Sequence, residues 1–256
     1  MGPEHLLKRI CILGNSHLGA LVQAEQGNAR FADAGYDVLY WGAAGGNFPK
    51  IRYNAGIFTS PHPSQARMIS GDRCEELAVA NADVLIAYGC HVMLSTQTRR
   101  IAMILQEAEG ISSAMRAAYL DEIVSHWWRN ATIRPLIEAV RRDFPKMPIF
   151  LYAHPLEGKH GGYFARLRDM GLVREVFLRL IIHLETWAET RSVSFCRQPQ
   201  ETVVDDLFTD PVFARGSVKL GQDEQHPEGD LRHMNSSYGN LVMDQLFGLV
   251  DPLLKR

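Results

Sequence analysis

Five short apolar runs, separated by stretches with helical periodicity, constrain the fold of this chain most strongly. Each run is continuously apolar, which is typical of a strand buried on both faces of a parallel sheet. Strands that alternate with helices predict a parallel sheet covered on both sides, that is, a three-layer α/β/α sandwich. The predicted strands are residues 9–13, 36–41, 83–88, 148–153 and 192–196.

The segments between these runs predict helices and irregular structure. Helices are expected at 18–34, at 75–80 (the end of one), within 101–144 (two), at 164–190 and from Ser236 onwards. A long loop over the site is expected at 46–71 and an irregular stretch at 198–228. Residues 98–128 predict an inserted helical pair or lid. We expect one domain that spans all 256 residues.

The composition excludes several classes of function. A formal net charge of −2 argues against a general nucleic-acid binder, because phosphate binding needs a concentrated positive field. No stretch reaches the roughly 20 apolar residues that cross a bilayer. Lys8-Arg9 leads into a strand-like run rather than a secretory signal, so a cytoplasmic location is expected. Cys11, Cys74, Cys90 and Cys196 form no CxxC pair, and buried, reduced thiols are expected at the two that lie inside apolar runs.

The first candidate for chemistry follows the first predicted strand. Gly14-Asn15-Ser16-His17 places a hydroxyl where a strand ends and a helix begins. Free backbone N–H groups of a first helical turn can bind a developing oxyanion at such a position. Ser16 is therefore a candidate nucleophile, although serine is also a common helix N-cap.

The second candidate lies near the C-terminus. Asp230 precedes His233 by three residues, and Asn235 and Tyr238-Gly239 follow in the lead into an apolar helix. A serine needs a base to become a nucleophile, and the base needs an orienting carboxylate. The two ends of the chain can together supply all three groups.

With these two segments, the chain resembles the SGNH (GDSL-like) hydrolase superfamily. The resemblance implies a flavodoxin-like sandwich with Ser16 as nucleophile, His233 as general base and Asp230 as its partner. Asn15 stands where the family usually has Asp, a residue outside the triad. The family's oxyanion hole would correspond to the backbone N–H of Ser16, that of Gly45 (Gly46 is nearly as good) and the side chain of His91, which replaces the usual Asn.

Several alternatives stay open at this point. Asp223 and His226 form a second Asp-x-x-His, so His226 is an alternative base. Asp223, His226, Asp230 and His233 also suggest a metal cluster, but such spacing without cysteines is nonspecific, and we expect no metal. His154 follows the fourth predicted strand and is a candidate substrate-binding residue. His17 is a second candidate, because a His directly after the serine is similar to the subset of the superfamily that handles acyl groups on glycans.

The resemblance implies an esterase that hydrolyses an acyl ester, with an O-acetyl group as one candidate, through an acyl-enzyme. The substrate would be a small-molecule or glycan ester, and the chemistry requires no cofactor. An O-acyltransferase with the same triad is the alternative among enzymes. A catalytically degenerate binding protein is the alternative from another class, because the family's Asn is missing at His91.

Overall fold

The computed structural model describes residues 7–108, 110–160, 166–221 and 224–255. Its strands are β1 (Lys8–Gly14), β2 (Tyr36–Gly42), β3 (Arg52–Asn54), β4 (Ile57–Thr59), β5 (Leu77–Ala78), β6 (Val84–Tyr88), β7 (Ile149–Tyr152), β8 (Ser194–Cys196), β9 (Val203–Val204) and β10 (Phe208–Thr209). Its helices are α1 (Leu18–Gly27), α2 (Arg30–Asp33), α3 (Pro63–Ile69), α4 (Leu94–Glu107), α5 (Ser113–Arg129), α6 (Ile133–Asp143), α7 (Met170–Glu189) and α8 (Ser236–Leu254).

The central sheet has five parallel strands in the order β2-β1-β6-β7-β8. Counted among the sheet strands alone, this is the flavodoxin-like order, in which ligands bind beyond the carboxyl ends of the strands. The register of β1 against β2 runs from Lys8 opposite Tyr36 to Gly14 opposite Gly42. The predicted three-layer sandwich with a parallel central sheet is confirmed.

Successive side chains of β1 face opposite layers. Ile10 and Ile12 belong to a core shared with α1 and α8, whereas Cys11 and Leu13 belong to a core shared with α4 to α7. Period-2 alternation of apolar side chains on both faces requires helices on both sides, which explains the unbroken apolar run.

Four of the sequence predictions outside the sheet are wrong. Residues 75–80 do not end a helix but contain β5, which pairs with β4. The segment 46–71 is not one long loop, because it holds β3, β4 and α3. The span 101–144 was expected to hold two helices, but it contains the end of α4 as well as the whole of α5 and α6. The predicted helix from 18 to 34 is broken between α1 and α2.

The structure tests two further predictions only in part. The helix predicted from 164 is α7, which begins at Met170, and positions 164 and 165 lie outside the described residues. The helices α4 and α5 of the predicted lid both pack against α7. Their role as a lid stays a prediction, as does the single domain.

No helix in the described part of the chain is long and apolar enough to span a bilayer. The four cysteines are free thiols, and reduced thiols were expected at two of them. Three of them are buried, namely Cys11, Cys90 and Cys196.

Candidate active site

Ser16 lies in the tight turn that joins β1 to α1. Leu18 N donates to Asn15 O at 3.0 Å, and Gly19 N donates to Ser16 O at 3.2 Å. The Asn15 side chain is 2% exposed, and its Oδ1 accepts the N–H of His17 at 3.2 Å. The turn is thereby fixed from below, while the half-buried Ser16 lines a cavity at the edge of the sheet.

His233 and Asp230 lie next to this hydroxyl. Ser16 Oγ is 3.1 Å from His233 Nε2, and His233 Nδ1 is 2.9 Å from Asp230 Oδ2. Because a carboxylate only accepts, Nδ1 carries the ring proton and Nε2 is free to accept from the hydroxyl. The fold therefore joins groups that are 217 positions apart in a geometry suited to general-base activation of a serine.

The Asp230 carboxylate accepts from several donors at once. Its Oδ1 accepts the backbone N–H of Arg232 at 2.8 Å and that of His233 at 3.1 Å. Burial by itself raises the pKa of Asp230, but the hydrogen bonds from His233 and from these backbone groups outweigh it and hold the pKa below its ordinary value. Asp230 is thus kept ionised beside the imidazole.

Asn235 holds the start of α8 in place, two residues after His233. Its Oδ1 accepts the N–H of Tyr238 at 3.2 Å as an N-cap. Its Nδ2 donates to the carbonyl oxygens of Val212 and Arg215, at 2.9 Å each. This double anchoring gives a physical reason for the Asn that follows Asp-x-x-His in the sequence.

His226, the alternative base, approaches Asp230 rather than the serine. Its Nδ1 is 3.4 Å from Asp230 Oδ2, and its ring stacks on His233. Burial lowers the pKa of His226, and the neighbouring His233 lowers it further. Asp223, its partner in the sequence motif, lies outside the described residues.

The ligand atoms of His226, Asp230 and His233 lie within 4.8 Å of one another, close enough to hold a metal ion. The two imidazole planes, however, are within 4° of parallel. Nitrogen lone pairs lie in the ring planes, so parallel rings do not direct them at one point. The hydrogen bond between His233 and Asp230 therefore fits this geometry better than a metal does.

His17 packs between the candidate triad and the next loop. Its ring centroid is 5.0 Å from that of His233 and 4.2 Å from that of His154. The residue is 7% exposed. Burial lowers the pKa of His17 well below its ordinary value, and His154 and His233 lower it further. A neutral ring therefore faces the imidazole of His233.

His154 connects the loops that follow β1, β6 and β7. Its Nε2 accepts the backbone N–H of His91 at 3.1 Å and the side-chain amide of Asn15 at 2.8 Å. Burial lowers the pKa of His154 to about 3, and His91 and His233 add to the effect. His154 also lines the cavity at Ser16, and its contact with substrate stays a prediction.

The loop after β6 has an unusual backbone. Gly89, Cys90 and His91 have successive φ values of 75°, 44° and 62°. A Cβ on Gly89 would lie 3.1 Å from Asn15 Oδ1, so a glycine permits the close approach of this loop to the serine turn. For Cys90 and His91, left-handed backbone is costly, and such strain is concentrated at functional sites.

His91 and Gly45, both predicted oxyanion donors, contact each other. His91 Nε2 is 3.2 Å from the carbonyl oxygen of Gly45, so this nitrogen carries the proton and donates. Burial lowers the pKa of His91, and this bond partly offsets the effect. In this geometry the remaining Nδ1 is an acceptor. To donate to an oxyanion, the Nε2–H group must leave the Gly45 carbonyl oxygen and bond to the substrate oxygen instead.

A cavity of about 210 Å³ joins these groups. Ser16, Gly45, His91 and His233 line it, together with Met93, Leu94, Ser95 and Thr96 at the start of α4. At its rim Arg232 Nε is 3.2 Å from Glu157 Oε1. Every residue predicted for the site except Asp230 thus borders one cavity, and Asp230 lies directly behind His233.

Sequence reasoning missed three contributions to this site. Asn15, treated as a tolerable replacement, bridges His154 and the backbone of His17. The stacking of His226 on His233 was also missed, although the second Asp-x-x-His had made His226 the alternative base. The ion pair of Glu157 with Arg232 had no signal in the sequence.

Comparison with known proteins identifies the fold. No family model matches the chain, and no curated protein matches it. A candidate acylhydrolase structure from Bacteroides fragilis aligns with 98% of this chain and 90% of its own, at 14% identity and a TM-score of 0.50. A GDSL-like lipase from Bacteroides thetaiotaomicron aligns with 96% of this chain and 89% of its own, at 13% identity and a TM-score of 0.48. The first likeness shows a shared fold over almost the whole chain.

Proposed function

We propose that this chain, which has the fold of the SGNH (GDSL-like) hydrolases, is a serine esterase that cleaves an acyl ester. The observation that carries the proposal is the continuous contact from Ser16 Oγ to His233 Nε2 at 3.1 Å and from His233 Nδ1 to Asp230 Oδ2 at 2.9 Å. A cavity large enough for a small ester lies in front of the hydroxyl.

In the acylation step, Ser16 Oγ attacks the carbonyl carbon of the ester while His233 Nε2 accepts its proton. The imidazolium that forms is stabilised by Asp230, which stays ionised. His233 then donates the proton to the leaving alcohol, and the acyl group remains bonded to Ser16. Water, activated by the same imidazole, attacks this acyl-enzyme and releases the acid.

The developing oxyanion needs hydrogen-bond donors next to Ser16 Oγ, around the carbonyl oxygen of the bound ester. The backbone N–H groups of Ser16 and Gly45 are the proposed donors, and His91 is the third. Supporting this assignment, all three residues line the cavity. A negatively charged substrate oxygen would draw the His91 Nε2–H bond away from the Gly45 carbonyl oxygen, because hydrogen bonds to charged acceptors are stronger.

His17 and His154 are proposed to border the bound ester, since both line the cavity. Both rings are neutral because burial lowers their pKa values. A neutral wall leaves the positive charge of the transition state on His233 alone, where Asp230 is placed to stabilise it.

The test is the hydrolysis of p-nitrophenyl acetate by the wild type, Ser16→Ala and Ser237→Ala. Ser237 is an exposed serine in the first turn of α8 and serves as the matched control. We expect Ser16→Ala to lose at least about a thousandfold in kcat, as removal of a triad nucleophile does, while Ser237→Ala stays near the wild type. Equal rates in the wild type and Ser16→Ala would overturn the proposal.

A further inference from the structure

A second cavity, of about 230 Å³, lies beside the candidate active site, between α7 and the edge strand β8. Its lining is mainly apolar, and five of the residues that give it this character are Leu156, Phe177, Ile181, Phe195 and Val203. Apolar cavities of about 150 Å³ stay dry and bind benzene. This cavity therefore has room for an apolar group larger than a six-carbon ring.

Two polar side chains that line this second cavity, Tyr152 and Gln198, already have partners in the protein. Tyr152 donates its hydroxyl to Gln245 Oε1 at 3.2 Å. Gln198 donates to the hydroxyls of Thr202 and Thr209 at 2.8 and 2.9 Å, and its Oε1 accepts the N–H of Leu156 at 2.8 Å. What the interior offers to a ligand is hence apolar surface.

The charged groups of this cavity are exposed at its rim. Arg174, Arg197 and Asp206 are exposed, and Arg197 is paired with Glu185 at 2.7 Å. An uncharged apolar group can enter without desolvating them, since burying an unpaired charge is what costs free energy. The cavity thus favours a hydrocarbon over a sugar or an ion.

The two cavities share a wall. Leu94 and His154 line both the apolar cavity and the cavity in front of Ser16. His154 is held by two hydrogen bonds, from Asn15 and from the backbone of His91. Leu94 is a buried aliphatic side chain at the first residue of α4, with no polar bond to break. Rotation of the Leu94 side chain would remove part of the wall that the two cavities share.

We propose that the apolar cavity binds the acyl chain of the ester, so that the preferred acyl group is a hydrocarbon chain of about six carbons rather than acetyl. The inference rests on the proposed esterase function and specifies the substrate class of the same site. An acyl group bonded to Ser16 would extend past Leu94 into this cavity, and the alcohol would leave on the open side.

The experiment compares kcat/KM for p-nitrophenyl acetate, butyrate and hexanoate, which share one leaving group. Each buried methylene is worth a factor of about three to four. Hexanoate has four more methylenes than acetate, so we expect the wild type to prefer hexanoate by roughly 80-fold to 250-fold. Hexyl acetate is the matching probe in which the hydrocarbon lies on the alcohol side.

Two residues that lie about one turn apart on α7 give a matched test. Leu178 borders the cavity and Ile182 does not, yet both are 53% exposed. We expect Leu178→Trp to reduce kcat/KM for hexanoate at least about tenfold and to leave acetate within about twofold, whereas Ile182→Trp changes neither. Val203→Phe narrows the cavity from the opposite wall and should act like Leu178→Trp. Thermal unfolding checks that each variant folds.

Steadily falling kcat/KM from acetate to hexanoate would overturn the proposal. Equal effects of Leu178→Trp and Ile182→Trp on hexanoate would do the same, as would a selective loss of hexyl acetate turnover. These outcomes leave acetate hydrolysis dependent on Ser16 and remove only the acyl-chain site. If no ester is hydrolysed faster by the wild type than by Ser16→Ala, the proposed function itself fails and the inference falls with it.

Discussion

The imidazole rings of His226 and His233 lie 3.9 Å apart between their centroids and within 4° of parallel. Both rings direct Nδ1 at the same oxygen of Asp230, at 3.4 Å from His226 and 2.9 Å from His233. Only the contact from His233 is a hydrogen bond, and the longer one from His226 is an electrostatic contact with the same carboxylate oxygen. His226 therefore bears on how strongly Asp230 stabilises a protonated His233.

Replacement of His226 by Phe tests this coupling. A flat ring remains beside His233, but the imidazole next to Asp230 is lost, along with any positive charge on it at low pH. We expect kcat/KM at neutral pH to stay within about threefold of the wild type, because the bond from His233 to Asp230 is unchanged. We also expect the acid limb of its pH profile to move to higher pH, because a neighbouring imidazole that repels a second positive charge is lost.

His226→Gln is the control, since its amide can still donate to Asp230. Its acid limb should lie between those of the wild type and His226→Phe. Charges near His226 on other elements, Lys219 and Glu224, are unchanged in both variants. A uniform loss of rate with an unmoved acid limb would indicate a purely structural role.

His91→Ala tests the third oxyanion donor. Loss of one such donor typically costs a factor of about 10² to 10³ in kcat, so we expect a fall of that size with KM little changed. His91→Asn supplies an amide donor and tolerates the positive φ at this position, and it should recover much of the rate. A fall in kcat of less than about threefold in His91→Ala would remove His91 from the oxyanion hole.

His154 predicts a pH dependence of stability. Burial lowers its pKa from the ordinary 6.5 to about 3, so the folded protein keeps it neutral while the unfolded chain protonates it. Between these two values the unfolded state binds more protons, and stability is lost as the pH falls. One such proton changes the free energy of unfolding by about 1.4 kcal/mol per pH unit.

His154→Gln removes this proton while its side-chain oxygen can still accept from Asn15 and His91. Urea unfolding below pH 6.5 should show a shallower loss of stability in the variant than in the wild type. His17 titrates in both proteins, and loss of His154 removes one of the causes that lower the pKa of His17, which adds to the shallower loss in the variant. Parallel curves for the two proteins would contradict the assignment.

Gly239 and Gly248 of α8 should respond oppositely to substitution by alanine. A Cβ on Gly239 would lie 2.0 Å from the carbonyl oxygen of Ala20 in α1, whereas one on Gly248 meets nothing within 4 Å. We expect Gly239→Ala to destabilise by about 3 kcal/mol through overpacking. Gly248→Ala should stabilise by about 0.5–1 kcal/mol through helix propensity. Urea unfolding measures both, and like effects in the two variants would contradict this packing.

The sheet was predictable because its strands are buried on both faces and leave continuous apolar runs. For example, the run around Ile86 has apolar neighbours in the sheet and in both helical layers. Residues 75–80 misled the prediction because β5 is only two residues long. It is defined by pairing with β4, a contact that local periodicity cannot show.

The site was predictable where position along a strand determines it. Ser16 and His91 follow strands that are neighbours in the sheet, so the carboxyl edge brings them together. The bonds of His154 to Asn15 and to the backbone of His91 depend on loop conformations with positive φ, which no pattern in the sequence specifies. The stacking of His226 likewise depends on the path of an irregular segment.

Covalent trapping of the nucleophile tests the central claim most directly. Diisopropyl fluorophosphate, followed by mass spectrometry of peptides, should add one diisopropylphosphoryl group to Ser16 in the wild type, and far more slowly in His233→Gln, which lacks the base. Modification of a different residue, or equal labelling of Ser16 in both proteins, would contradict an activated Ser16.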